Sequence, residues 1–292
     1  MSPTPFIARY WNLALCLFAV AVLGLMASPG LASDDAAEGK KNPVPARNVG
    51  GIIVKGATKT NIKTGTITGI INYEGPVPKM PIKMPIAFCN AQWKGKPPVI
   101  ETVVAAKSAK GLTLGNVLIY VSKGLAGRKF APPKTPVILD QKKCLYQPHV
   151  VALMARQPIH IKNSEAVLHN VLAFPRNNAP FNVGVFQGNP LVKKFKPEVG
   201  LIVQCSVHGW MKAYIHVLDH PYFAITNPDG KFTLKGLPPG NYEVSVWHEY
   251  YKIKPTTPTI KVEVKAGQTQ KIEYQYAVAK KPAKKPAKKT TK

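Results

Sequence analysis

The 292-residue sequence contains no H-E-x-x-H, no G-x-S-x-G and no H-x-H. Without the first two it lacks the zinc-hydrolase helix and the serine nucleophile elbow, so hydrolytic chemistry has no recognisable foothold. Acidic residues are also scarce. Fourteen Asp and Glu stand against 40 Lys and Arg, a formal charge of +26. Seven of the lysines fall in the last thirteen residues, so the rest of the chain still carries about +19. That balance favours acidic proteins, anionic polymers or lipid headgroups as partners and says little about fold. Beyond the N-terminal segment no run approaches the roughly 18 apolar residues that a membrane helix needs. No stretch shows a convincing amphipathic helical period.

The first residues, MSPTPFIARYWNLALCLFAVAVLGLMASPGLAS, carry one Arg, an apolar run from about Leu13 to Ala27, and small residues up to Ala32. They are expected to be a secretory signal peptide, residues 1–32, cleaved after Ala32. The protein is then periplasmic or secreted, in an oxidising compartment. Four cysteines are present, and Cys16 leaves with the signal. Of the three that remain, one cannot pair within the chain. The simplest parity solution joins Cys89 to Cys144 and leaves Cys205 free. Such a bridge contributes on the order of 3 to 4 kcal/mol.

Residues 33–61 read as a disordered linker, rich in Ala, Gly, Lys and Pro without periodicity. Residues 279–292 form a Lys-rich KKPA tail with nothing to pack, expected to be disordered and suited to an anionic envelope polymer or membrane surface. Export makes nucleic acid an unexpected partner. Between these ends the segments GTITGIINYEG, TLGNVLIYVSKG, PHVVALM, PIHIKNS, HNVLAF, GLIVQCSV, KAYIHVLD, KFTLKGL, NYEVSVWHE and TIKVEVKAG are short, β-branched or aromatic, and divided by turn residues. They predict an all-β protein of the sandwich or barrel type.

Within QCSVHGWM, a thiol, an imidazole and a thioether recur at intervals of three: Cys205, His208 and Met211. This C-x2-H-x2-M spacing lets one tight loop aim three donors at a single ion. The softness of the set suits copper best. A second equatorial imidazole must come from elsewhere, and His169, in IKNSEAVLHNVLAF, stands between two predicted strands. Two His and one Cys with a weak axial Met make an electron-transfer copper site.

From about Pro136 to Asp219 the sequence resembles the cupredoxins, the small blue copper proteins, through YQPHVVALMARQPIHIKNSEAVLHNV and LIVQCSVHGWMKAYIHV. The ligand loop has the short spacing of the amicyanin branch. The resemblance implies a Greek-key β-sandwich or barrel with one type 1 copper, held equatorially by His169, Cys205 and His208 and axially by Met211. It also implies that Asn170 bonds across to the ligand loop, and that His208 reaches a hydrophobic surface patch beside Gly209 and Trp210 as the electron exit. Gln204 and Gly209 depart from the family pattern without removing a ligand. Multicopper oxidases and nitrite reductases add paired H-x-H ligands, absent here. His149, His160, His216, His220 and His248 are single and expected to be structural; His216 and His248 are the candidates for any second metal.

Residues 224–274, with the Asp229-Gly230 turn, Phe232 and GLPPGNYEV, resemble the carboxypeptidase regulatory-like family, a transthyretin-type β-sandwich. That segment, 221–278, supplies too few strands alone. Residues 62–130 are expected to complete it, with the cupredoxin, 131–220, inserted between; an elongated cupredoxin beside a partial sandwich is the alternative. The combination also resembles exported bacterial proteins labelled methylamine-utilisation proteins. The function expected is an exported, non-enzymatic blue copper carrier of single electrons, serving an acidic redox protein such as a cytochrome c or a dehydrogenase. A non-redox partner- or glycan-binding envelope module on a cupredoxin scaffold is the alternative.

Overall fold

The computed structural model describes residues 63–279, all within one compact unit. The expected signal peptide, the whole of the linker and residues 280–292 of the tail lie outside the described residues. Among the described residues no helix is long and apolar enough to cross a membrane.

The protein is all-β, built as two sandwiches. The first consists of two sheets. Strands Ile253–Pro255, Thr269–Val278, Gly65–Glu74, Gly111–Leu114 and Ala105–Ser108 pair in that order, and Lys231–Leu237 also pairs with Gly65–Glu74. The facing sheet runs Phe223–Ile225, Leu118–Lys123, Gly240–Trp247, Thr259–Val264. Both ends of the described chain thus share one sandwich. Its first and last long strands lie side by side in parallel, Thr66 opposite Thr269 through Glu74 opposite Ala277. Alternation explains the orientation of the opening strand: Ile67, Ile71 and Tyr73 face the core shared with Tyr242, Val244, Tyr274 and Tyr276, while Thr68 and Asn72 face outward.

The residues between the two halves build the second sandwich. One sheet runs Phe181–Val185, His169–Ala173, Glu198–Gln204, Lys212–Leu218, Val150–Met154, and the other Leu191–Lys193, Ile159–Asn163, Val137–Lys142, Leu145–Gln147. Leu139, Ile159 and Ile161 from one sheet meet Val171, Leu201, Val203, Ala213 and Ile215 from the other in a single core. Lys212–Leu218 is buried on both faces from Ala213 onward, which is why its sequence, AYIHVL, hardly alternates. Its inner side chains enter the core. Its outer ones meet the first sandwich, where Trp247 lies 5.2 Å from the Tyr214 ring and 4.5 Å from the His216 ring. The shielded side chain of Glu249 accepts a hydrogen bond from His149 across the same junction.

Two local features depart from the sequence reading. TLGNVLIYVSKG is not one strand but two, parted at Asn116, whose φ of 58° breaks the extended run. A five-residue helix, Ala87–Ala91, is present; it is too short to show a helical period. That helix belongs to a segment between the first two strands of the outer sandwich. Its side chains Ile82, Met84 and Cys89 are nevertheless buried in the core of the second sandwich, with Ile86 and Trp93 against it. Of the stretch expected to complete the outer sandwich, residues 63–130 therefore divide their packing between both cores. The Cys89–Cys144 disulfide, spanning 55 positions, fastens this segment there.

Gly69 shows how closely the outer sheet is packed. A Cβ on this residue would lie 2.0 Å from the Ile272 carbonyl and 2.7 Å from the Phe232 ring. Both obstacles are fixed in neighbouring strands, so neither can yield cheaply. Gly69→Ala is expected to destabilise the fold by about 1–3 kcal/mol, the cost of overpacking. In urea unfolding this is a lower midpoint with an unchanged slope.

Candidate metal centre

His169 opens a strand, and Asn163 closes the preceding one. Asn163 shapes the loop between them: its amide donates to the carbonyls of Val167 (2.8 Å) and Val185 (2.9 Å), and its Oδ1 accepts the Glu165 N–H at 2.9 Å. Strand pairing then sets His169 beside the second loop, because Leu172 lies opposite Gln204 and Ala173 opposite Val203. Cys205 follows directly. Its loop closes on itself: the Cys205 N–H donates to the Met211 carbonyl (3.1 Å) and the Met211 N–H to the His208 carbonyl (2.8 Å).

The three donors converge. His169 Nδ1 and His208 Nδ1 are 3.0 Å apart, and the Cys205 sulfur is 3.4 Å from the His208 nitrogen and 3.9 Å from that of His169. Metal bonds of about 2.0–2.1 Å to imidazole and about 2.3 Å to thiolate hold such donors roughly 3 to 4 Å from one another. The triangle fits one ion. Met211, fully buried at the end of the same loop, shares the core with Cys205. Two imidazoles, a thiol and a thioether form a set whose softness selects copper over the hard cations.

Asn170 locks the two loops together. Its backbone N–H points at the Cys205 sulfur at 3.5 Å, its Oδ1 accepts the Ser206 N–H at 2.7 Å, and its Nδ2 donates to Ser206 Oγ at 2.6 Å and to Asn182 Oδ1. Behind it, Tyr146 Oη and Gln141 Nε2 both donate to the Asn170 carbonyl, at 2.9 and 3.2 Å.

Burial alone would push the Cys205 thiol up. The hydrogen bond with His169 and the backbone N–H groups of Asn170, His208 and Val207 outweigh it, and the thiol titrates below its usual range. Burial likewise pulls His169 down, but Cys205 and Glu165 as partners hold it above the usual imidazole value. For His208, burial and the charge of nearby His169 outweigh the opposing pull of Glu165 and lower it.

Sequence reading missed Glu165. Its carboxylate is buried, accepts the Cys144 N–H at 2.8 Å, and lies 3.0 Å from His169 Nε2. It thus fixes the tautomer and ring orientation that leave His169 Nδ1 aimed at Cys205. The available signal was a carboxylate four residues before the candidate ligand in an acid-poor chain. Gln141 and Tyr146 left no sequence signal, since they act on a backbone carbonyl.

The surface exit expected at His208 is not present. His208 is 0% exposed, because the segment tied down by Cys89–Cys144 covers it. Both cysteine sulfurs lie within 4.8 Å of a His208 ring nitrogen. The Trp210 ring sits 5.2 Å away, edge-on, its Nε1–H donating to the Cys144 carbonyl at 2.9 Å. His208 Nε2 is buried without a hydrogen-bond partner.

Among the described residues, neither His216 nor His248 joins a set of three metal-ligating donors. His216 Nδ1 accepts the Gly200 N–H at 3.0 Å, and burial lowers its pKa to about 3. His248 accepts the Tyr250 N–H, with burial lowering it to about 4. His149 bonds Glu249, and His220 Nδ1 accepts the Tyr222 N–H.

No protein-family model matches the chain, and no curated protein matches it. Among solved structures, a purple cupredoxin from Nitrosopumilus maritimus is 18% identical, with 28% of this chain covering 98% of that one at a TM-score of 0.25. Amicyanin from Paracoccus versutus is 19% identical, with 34% covering 96% at 0.26. A copper-containing nitrite reductase from Thermus scotoductus is 20% identical at 0.28, over 32% of this chain and only 25% of the enzyme. At these identities and TM-scores the likeness is too slight to bear on function.

Burial raises the Glu165 pKa, but the hydrogen bonds from His169 and from the Cys144 N–H hold it below the usual carboxylate range. A carboxyl depressed on folding stabilises the fold above its unfolded pKa and loses that contribution as pH falls through the folded one. In metal-free protein, Glu165→Gln is expected to cost about 1.5–3 kcal/mol near neutrality, the worth of hydrogen bonds to a charged group. The gap from wild type should narrow in acid. Urea midpoints at neutral pH and below the usual carboxylate range measure both.

Proposed function

We propose that the inner sandwich is a cupredoxin domain and that the protein is an exported, non-enzymatic carrier of single electrons with one type 1 copper. His169, Cys205 and His208 would be the equatorial ligands and Met211 the weak axial one. The observation that carries this reading is the triangle of two imidazole nitrogens and one sulfur, with edges of 3.0, 3.4 and 3.9 Å, fully buried.

When bound, copper supplies a one-electron couple. The chain supplies rigidity. Asn170 ties the Cys205 loop to the His169 strand, Glu165 orients His169, and the two loop hydrogen bonds fix the span from Cys205 to Met211, so the donors keep their places while the charge changes. Burial excludes water, leaving no place for a substrate to bind. An electron carrier needs both properties; a hydrolytic or oxygen-activating site needs an open position instead.

The charge of +26 supports an acidic redox partner such as a cytochrome c or a dehydrogenase, through electrostatic steering. The signal-like N-terminus supports a periplasmic or secreted location. The outer sandwich, of carboxypeptidase regulatory-like character, would serve as the frame into which the copper domain is inserted. The Lys-rich tail would bind an anionic envelope polymer or membrane surface.

The decisive measurement is the visible spectrum of copper-loaded protein, prepared from the isolated protein and from the chain with its disulfide reduced. An intense thiolate-to-copper charge-transfer band is expected, absent in Cys205→Ser and reversibly bleached by a one-electron reductant. A folded, copper-loaded protein without the band would remove the electron-carrier reading.

A further inference from the structure

Cys89, Cys144 and His208 form a second set of donors, which shares His208 with the His169–Cys205–His208 triangle. Their ligand atoms lie within 4.8 Å of one another, and all three residues are buried. A structural disulfide gains nothing from adjoining a metal-ligating imidazole. Two further features mark the place. His208 Nε2 is buried without a partner. The disulfide also fastens a segment that leaves the outer sandwich and packs Ile82, Met84, Ile86 and Trp93 into the core of the inner one, with Cys89 beside His208.

Resting on the copper reading of the main centre, we infer that Cys89 and Cys144, in their thiol form and together with His208, are the entry site for Cu(I), and that their oxidation to the disulfide seals the centre behind it. Two thiolates and an imidazole are the donors that a soft cuprous ion prefers. They sit within 4.8 Å of a His208 ring nitrogen, so copper received there has the main centre next to it. While Cys89 and Cys144 are thiols, the covering segment has no covalent tether and opens at lower cost. Closure is thiol–disulfide exchange with an oxidised protein disulfide of the export compartment. One cysteine thiolate attacks it, the second displaces the mixed disulfide, and two electrons and two protons pass to the carrier, which leaves as a dithiol. Copper remains cuprous throughout. Once formed, the bond is buried with both cysteines at 0% exposure, so a thiol reductant cannot reach it without prior opening. The order is then fixed as metal first and disulfide second.

Two experiments test this, each separable from the spectrum of the main centre. In a Cys205→Ser protein, which lacks the main thiolate, the disulfide-reduced form is expected to hold one Cu(I) against bathocuproine disulfonate, and the oxidised form none. Adding His208→Ala should weaken that hold roughly tenfold or more, the loss of one ligand in three. Equal retention by reduced and oxidised forms, or no effect of His208→Ala, overturns the entry site. In metal-free protein beginning at residue 33, Cys205 is the reporter. Its reaction with a thiol-reactive disulfide dye should be roughly tenfold or more faster in Cys89→Ser/Cys144→Ser than in the disulfide-bonded wild type, at unchanged far-ultraviolet dichroism. Equal rates overturn the seal. Should the double variant lose its fold, wild type reduced by a phosphine and desalted gives the same comparison, with Cys205 identified by peptide mapping. Failure of the copper band with success of these two tests would discard the electron carrier and keep a copper-receiving protein.

Discussion

Two imidazoles, a thiol and a carboxylate are buried together, and each must be satisfied from within the protein. Almost every distinctive feature of the inner sandwich follows from that requirement. Glu165 draws a backbone N–H from Cys144 and faces His169; His169 and His208 turn their remaining nitrogens toward Cys205; Cys205 takes an N–H from Asn170. A buried polar network that is only partly satisfied costs more than an apolar core, so these groups have to be held in one arrangement. The one nitrogen left over, His208 Nε2, points out the place where the network is incomplete.

The strands serve this cluster by placing two loops at the same end of the same sheet. Neither loop could hold its shape alone. Asn163 fixes one from inside, the Cys205–Met211 backbone bonds fix the other, and Asn170 joins them. The outer sandwich contributes differently. Trp247 and Glu249 cover the reverse face of Lys212–Leu218, so the strand leaving the metal loop is clamped on both sides. Rigidity at the centre is therefore partly borrowed from a domain that supplies none of the ligands.

Much of this was legible in the sequence because donor chemistry is local. C-x2-H-x2-M announces a site through spacing alone, and the hydrophobic alternation in GTITGIINYE announces a strand. Short strands with weak composition, such as Leu191–Lys193 and Ile253–Pro255, gave no such sign, since tertiary pairing rather than propensity makes them extended. Glu165 was obscured because a carboxylate in a loop ordinarily faces water. The burial of His208 was hidden for another reason: its cover comes from residues about 120 positions earlier, and no local pattern encodes so distant a contact.

The parallel pairing of Gly65–Glu74 with Thr269–Val278 imposes an order in time. Thr66 lies opposite Thr269, so at synthesis rates of about 5–20 residues per second the first strand waits roughly 10 to 40 s for its neighbour to exist. The inner sandwich has all its own strands by Leu218. During that interval the early strand presents an unpaired edge, and the inner domain, already complete, is the surface on which the two halves of the outer one must later meet.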